Sequence, residues 1–123
     1  MKASVIVFAS LVVSGVLALA SGSAAAQAYP SKPIRLIVPF PPGGGTDVTA
    51  RILSQALFDG PGWQVVVENR PGATGRIGTE FVAKAPPDGY TLLLGTAGPN
   101  AILSGAYSKL PYDAVRDFAP VSL

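Results

Sequence analysis

Histidine and cysteine are both absent from the 123 residues. Without histidine the chain lacks the commonest general base and the commonest metal ligand near neutral pH. Without cysteine it has no disulfide staple, no thiol nucleophile and no cysteine through which a lipid anchor could attach. Charge is sparse as well: nine Lys/Arg and seven Asp/Glu leave a formal net charge of +2. These charges are scattered, whereas a nucleic-acid interface needs a clustered basic patch. The carboxylates do not fall at metal-loop spacing. The commonest general base and metal ligand are thus missing from the visible chain, no metal site or nucleic-acid partner is indicated, and no cofactor is expected.

Long apolar runs are confined to the beginning of the chain. Lys2 precedes an apolar stretch over residues 3–20, followed by Ser21, Gly22, Ser23 and a run of alanines. A positive start, an apolar middle and small residues behind it are the three parts of a secretory signal. Both Ala24-Ala25-Ala26 and Ala26-Gln27-Ala28 satisfy a small-x-small site, so cleavage is expected after Ala26 or Ala28. The run approaches the ~20 residues that a membrane span needs, but serines and a glycine interrupt it. The mean hydropathy of +0.43 is inflated by this leader. Behind it roughly 95 residues remain, enough for one small domain. Lys2 belongs to the leader, so eight basic residues face seven acidic ones in the remainder.

Glycine and proline are plentiful, 14 and 12 residues, and they divide that remainder into elements. Tyr29-Pro30-Ser31-Lys32-Pro33 reads as an extended lead-in. Residues 34–40 are apolar at almost every position, which suits a strand covered on both faces. Pro41, Pro42, Gly43, Gly44 and Gly45 then form a glycine corner that opens a helix over residues 47–58, with Thr46 or Asp47 as its cap. Val48, Ile52, Leu53, Ala56 and Leu57 form the apolar stripe of that helix, and Arg51, Ser54 and Gln55 fall on its other side. Residues 63–68 make a second strand, and a second glycine corner at Gly72–Gly75 leads into a helix over 75–84. Its stripe is Ile77, Phe81, Val82 and Ala85, and Gly78 marks a close approach. Residues 90–95 make a third strand, Thr96-Ala97-Gly98-Pro99-Asn100 a third corner, and 101–107 a short helix. One helical turn is expected over 113–117 and a fourth strand over 118–123.

Strands alternating with helices imply an α/β fold with a parallel sheet and right-handed connections. In such sheets ligands sit beyond the carboxyl ends of the strands, and all three corners lie there. A glycine corner that opens a helix leaves backbone N–H groups unpaired and ready for an anion. A phosphate loop is a poor fit, since no lysine followed by serine or threonine comes after the glycines.

Five collinear motifs resemble one family. They are residues 29–47, Val65-Val66-Val67-Glu68-Asn69-Arg70-Pro71-Gly72-Ala73, Ala85-Pro86-Pro87-Asp88-Gly89-Tyr90-Thr91-Leu92-Leu93, Leu110-Pro111-Tyr112-Asp113, and Asp117-Phe118-Ala119-Pro120-Val121. Together they are similar to the start of the mature substrate-binding proteins of tripartite tricarboxylate transporters, the Bug receptors. The resemblance implies a periplasmic, non-enzymatic receptor with two α/β domains around a cleft, like type II periplasmic binding proteins. Such a receptor closes on a small carboxylate and delivers it to membrane permease subunits. Mature members are two to three times longer. Residues 1–28 are therefore expected to be a signal peptide, 29–117 a partial domain one, and 118–123 the beginning of a crossover strand toward a missing domain two. A monomer is expected. The competing reading is an exported α/β enzyme, such as a hydrolase, with its catalytic residues beyond residue 123.

The ligand-binding residues expected on this basis are Phe40, Pro41, Pro42, Gly43, Gly44, Gly45, Thr46 and Asp47 at the first corner. Gly72 and Ala73 serve at the second, and Thr96, Ala97, Gly98 and Asn100 at the third. Asp47 poses a conflict, because a carboxylate favours a helix N-terminus but repels an anionic ligand. The expected resolution is that Asp47 turns inward and shapes the loop through backbone N–H groups. Family members commonly carry glycine where Thr74 stands and asparagine where Arg76 and Leu103 stand.

Overall fold

The computed structural model describes residues 28–107 and 109–122. Of the expected signal peptide, residues 1–27, and with them the cleavage site after Ala26, lie outside the described residues. Three parallel strands form one sheet in the order β2-β1-β3: β1 is Ile34–Val38, β2 is Val65–Asn69 and β3 is Thr91–Leu93. Ile37 pairs with Glu68 on one side and with Leu93 on the other. Helix α1, Gly45–Asp59, connects β1 to β2. A 3-10 turn at Ala73–Gly75 and helix α2, Arg76–Ala83, connect β2 to β3. After β3 come a π-helical turn, Gly98–Ile102, and a short helix α3, Leu103–Ala106.

The central strand is buried on both faces because a helix lies on each. Ile37 and Val38 have no exposed surface, and Ile34 and Leu36 almost none. Burying each such side chain contributes about 1.5–3 kcal/mol. Leu36 and Val38 pack with Ala50 of α1, while Val65, Val67, Leu92 and Leu94 close around them. The continuous apolar run of β1 thus has the cause expected of it.

Both helices, however, present different faces from those their apolar stripes suggest. In α1 the inward residues are Asp47 and Ala50, with Ser54 and Leu57 half-buried, while Val48 and Ile52 are 50% and 65% exposed. Ser54 Oγ donates to the Val65 carbonyl at 2.6 Å, so a hydroxyl fastens the helix to β2. Small Ala50 lets the helix axis approach the sheet, and the bulkier stripe is turned outward. In α2 the buried residues are Gly78 and Thr79, and Ile77 is 52% exposed. A Cβ on Gly78 would come within 2.8 Å of the Arg70 carbonyl oxygen and 2.9 Å of Pro39 Cα. The helix rests on the backbone after β1, and glycine permits this.

Residues 118–122 form no strand, contrary to expectation. Phe118 packs edge-on against Tyr112, whose hydroxyl donates to the Pro99 carbonyl at 2.7 Å, so this segment is drawn to the third corner. Pro120 also lacks the N–H that a ladder would need. The helical turn over 113–117 is present, closed by the Asp117 N–H donating to the Asp113 carbonyl at 3.0 Å.

At the amino ends of the strands the lead-in is clamped to the turn before β3. Tyr29 Oη donates to the Gly89 carbonyl at 2.6 Å, the Ser31 N–H donates to Tyr90 Oη at 2.8 Å, and Lys32 pairs with Asp88 at 3.2 Å. Tyr29 stacks edge-on with Trp63 and tilted on Tyr90. These aromatics stabilise the edge opposite the glycine corners and leave the corner edge unobstructed.

Candidate functional site

The first corner is built around a buried carboxylate. Gly43 takes φ +84°, a left-handed conformation that glycine adopts without strain. Gly44, rather than Thr46 or Asp47, caps α1, and it has no side-chain hydrogen bond to offer. The first intrahelical bond runs from the Val48 N–H to the Gly44 carbonyl. The N–H groups of Gly45, Thr46 and Asp47 therefore have no acceptor within the helix. Gly44 and Gly45 are exposed, and no atom lies within 4 Å of where a Gly45 Cβ would sit.

Asp47 stands in the first turn, is 3% exposed, and turns inward as expected. Its Oδ2 accepts from the Gly43 N–H at 3.0 Å and Arg51 Nε at 3.0 Å; its Oδ1 accepts from Arg51 Nη2 at 3.1 Å and Asn69 Nδ2 at 2.9 Å. Asn69 Nδ2 also donates to the Phe40 carbonyl at 3.1 Å. The Arg51 guanidinium, followed by the Gly43 N–H and the Asn69 amide, holds the Asp47 carboxyl far below the usual carboxylate range. Both oxygens are occupied and the charge is matched by Arg51. The unpaired N–H groups at the start of α1 are thus not confronted by a bare carboxylate.

Arg51 and Asn69 were not legible as site residues. The amphipathic pattern puts Arg51 on a solvent face, and Asn69 reads as the first residue of the loop after the second strand. The spacing of Asp47 and Arg51, four residues apart on a helix, is the one signal that could have paired them.

The second corner is strained. Gly72, Gly75 and two non-glycine residues, Ala73 at φ +48° and Thr74 at φ +59°, all have positive φ. For a β-branched residue this is a marked departure, and such strain collects where the surrounding structure fixes a functional loop. Glycine at the Thr74 position would adopt this conformation freely. The third corner contains the π-helical turn, a rare geometry often found at functional sites. Pro99 is buried there, Asn100 is half-buried, and Thr96 Oγ1 and Asn100 Oδ1 are buried with no hydrogen-bond partner.

The corners meet around Gly75. A Cβ on it would lie 3.2 Å from Pro99 Cγ, 3.3 Å from Phe40 Cζ and 3.5 Å from Pro39 Cβ. The fold therefore brings together Phe40 of the first corner, the glycine ending the second, and Pro99 of the third. The Arg70 N–H donates to the Val38 carbonyl at 2.8 Å, tying the second corner to the end of β1. Pro41, Pro42, Gly43 and Gly44 stand exposed, outside this packed centre, and reach it through Asn69. Ala73 and Ala97 are also exposed, while Gly72 and Gly98 are partly covered. Two surface depressions among the described residues lie elsewhere, one lined by Tyr107 and Leu110–Ala114, the other by Arg35, Arg70 and Phe81 among others. The corners form an open edge.

The tripartite tricarboxylate transporter family receptor profile matches residues 49–123. The chain belongs to this family. BugT of Bordetella pertussis is 48% identical over 117 residues, which cover 92% of this chain and 36% of BugT. Among solved structures, the periplasmic binding protein BugD aligns with 43% identity and a TM-score of 0.70, over 75% of this chain and 30% of that one. MatC from Rhodopseudomonas palustris with bound malate aligns with 35% identity and a TM-score of 0.71, over 76% and 32%. An R. palustris protein with adipate aligns with 40% identity and a TM-score of 0.66, over 70% and 29%. The chain spans about a third of the length of the curated relatives it matches. The matched family is described as one of transporter receptors.

Among the described residues no helix is long and apolar enough to cross a membrane, and no group of three or more acidic residues is placed to hold a metal ion.

The carboxylates make pH a direct probe of the fold. Arg35 donates to Glu68 from Nε at 2.6 Å and Nη2 at 2.8 Å, and this pairing, with a contribution from Arg70, lowers the Glu68 pKa. Asp47, Asp88 and Asp113 are lowered as well, by hydrogen bonds to Arg51, the Tyr90 N–H and the Val115 N–H respectively. Groups with depressed folded-state pKa values stabilise above their unfolded values, near 4, and that contribution is lost as pH falls through the folded values. With no histidine, the melting temperature of the protein is expected to change little from pH 6 to 8 and to fall steadily below about pH 4.5. A melting temperature that holds from pH 5 down to 2 would contradict the role given to these pairs.

Proposed function

We propose that this chain is the amino-terminal part of a periplasmic receptor that captures a small di- or tricarboxylate and delivers it to the membrane subunits of a tripartite tricarboxylate transporter. The observation that carries the reading is the exposed start of α1, where N–H groups without intrahelical acceptors stand beside a carboxylate already matched by Arg51. Such a site attracts an anion through backbone dipoles, with no lysine or arginine in the loop itself. Phe40, half-buried beside the second and third corners, supplies an apolar surface for the carbon skeleton. MatC with malate and the R. palustris protein with adipate support the carboxylate class. Export by the leader at residues 1–28, with cleavage after Ala26 or Ala28, places the receptor in the periplasm, in keeping with the periplasmic relatives.

The mechanism is capture at the corner edge, closure of a second domain over the ligand, and release to the permease. A thermal-shift screen of the full-length protein against di- and tricarboxylates tests this. A ligand present at one hundred times its Kd stabilises by about 2.7 kcal/mol, a rise of several degrees. No shift with any such acid would overturn the substrate class.

A further inference from the structure

At the floor of the third corner, Thr96 Oγ1 and Asn100 Oδ1 are buried and have no partner. They belong to residues four apart in a turn whose backbone is otherwise bonded, with the Asn100 N–H donating to the Thr96 carbonyl at 3.3 Å. The Asn100 carboxamide lies over Gly95. Its Nδ2 lies 2.4 Å from where a Cβ on Gly95 would sit, so only glycine there leaves room for it. A buried oxygen held without a partner is costly and calls for a donor. A carboxylate cannot be that donor, because it only accepts hydrogen bonds. An ammonium group would be desolvated here beside two neutral side chains. A hydroxyl satisfies both groups, donating to Asn100 Oδ1 and accepting from the Thr96 hydroxyl.

We propose that Asn100, assisted by Thr96 and seated by Gly95, reads a hydroxyl on the carbon skeleton of the ligand, so that the receptor selects hydroxy-substituted di- or tricarboxylates over their unsubstituted counterparts. This rests on the carboxylate-receptor reading above and narrows it. The backbone corners hold the carboxylates, which the whole class shares. The polar pair distinguishes members of the class, since a site built to hydrogen-bond a hydroxyl rejects the analogue that lacks it.

Calorimetric titration of the full-length protein with matched pairs tests the assignment: malate against succinate, 2-hydroxyadipate against adipate, citrate against tricarballylate, with aspartate as the ammonium counterpart of malate. In the best-bound pair the hydroxy acid is expected to bind at least about tenfold more tightly. Asn100→Leu should remove most of that preference, lowering the affinity for the hydroxy acid more than that for the unsubstituted acid. Gly95→Ala, which displaces the carboxamide without altering it, should do the same and stands in should Asn100→Leu not fold. Equal affinities within every pair would overturn the hydroxyl assignment and leave the receptor reading intact, as would aspartate binding more tightly than malate or a preference surviving in both variants. Binding of none of these acids would overturn both readings.

Discussion

Replacing Asp47 with alanine is expected to lower both the melting temperature and the affinity for a carboxylate ligand. The side chain is 3% exposed and accepts four hydrogen bonds, from the Gly43 N–H, Arg51 twice and Asn69. Its removal leaves the Arg51 guanidinium without its carboxylate and with a long bond to Asn69 Oδ1 at 3.5 Å, frees the Gly43 N–H, and takes from Asn69 Nδ2 one of its two acceptors, the other being the Phe40 carbonyl. Removing one partner from a satisfied buried network costs more than the bonds themselves contribute. A fall in melting temperature of at least about 5 °C is expected. The affinity should fall about tenfold or more, because the loop N–H groups no longer stand where a bound carboxylate needs them. Calorimetric melting and ligand titration on one preparation measure both. A loss of affinity at unchanged stability would mean that Asp47 touches the ligand and does not position the loop. Asp47→Asn, which keeps the shape and loses the charge, should fall between wild type and alanine in melting temperature.

Gly78→Ala is expected to destabilise the fold by about 3 kcal/mol, near the upper end for added volume in a packed interior. The new Cβ would lie 2.8 Å from the Arg70 carbonyl oxygen, 2.9 Å from Pro39 Cα and 3.0 Å from Pro39 Cβ. Two of these are backbone atoms anchored to β1 and to the end of β2, so no side chain can rotate away to make room. Relief would require α2 to lift from the sheet, which would open the contact of Gly75 with Pro99 and Phe40. The damage would therefore reach the corner centre through rigid elements. Gly105→Ala is the matched control, since nothing lies within 4 Å of that position. Its effect should stay within about 0.5 kcal/mol. Denaturant unfolding of the two variants separates a close packing contact from the general helix preference for alanine, which alone would make both substitutions stabilising. An unchanged midpoint for Gly78→Ala would refute the contact.

Both expectations depend on residues whose types were plain in the sequence and whose partners were not. The glycines before α1 announced a corner, and Asp47 was expected to turn inward to its N–H groups, but that Arg51 and Asn69 hold the same carboxylate was not legible. Gly78 was expected to mark a close approach, and the structure supplies what it approaches, the Arg70 carbonyl and Pro39. Ala50 and Thr79, unremarkable in an apolar count, are fully buried, whereas Val48 and Ile52 face outward. Hydrophobic periodicity reports which side of a helix is apolar. The approach distance, set by small residues, decides which side meets the sheet. Asn69 was likewise out of reach of local reading, because its two acceptors, Asp47 and the Phe40 carbonyl, lie 22 and 29 residues away.

By itself the sequence determined the alternation of strands and helices, the parallel sheet, the three corners at one edge, and the receptor family. These follow from local rules: apolar runs, proline and glycine punctuation, and motif order are written in consecutive residues. The tertiary structure alone decided that Gly44 caps α1, that Arg51 and Asn69 hold Asp47, and that Phe40, Gly75 and Pro99 meet. It alone decided that Asn100 Oδ1 and Thr96 Oγ1 are buried without hydrogen-bond partners and that residues 118–122 turn to Tyr112 instead of joining the sheet. Each of these depends on a distance between residues far apart in the chain or on whether a polar atom finds a donor. Such distances exist only once the sheet has brought its carboxyl ends together.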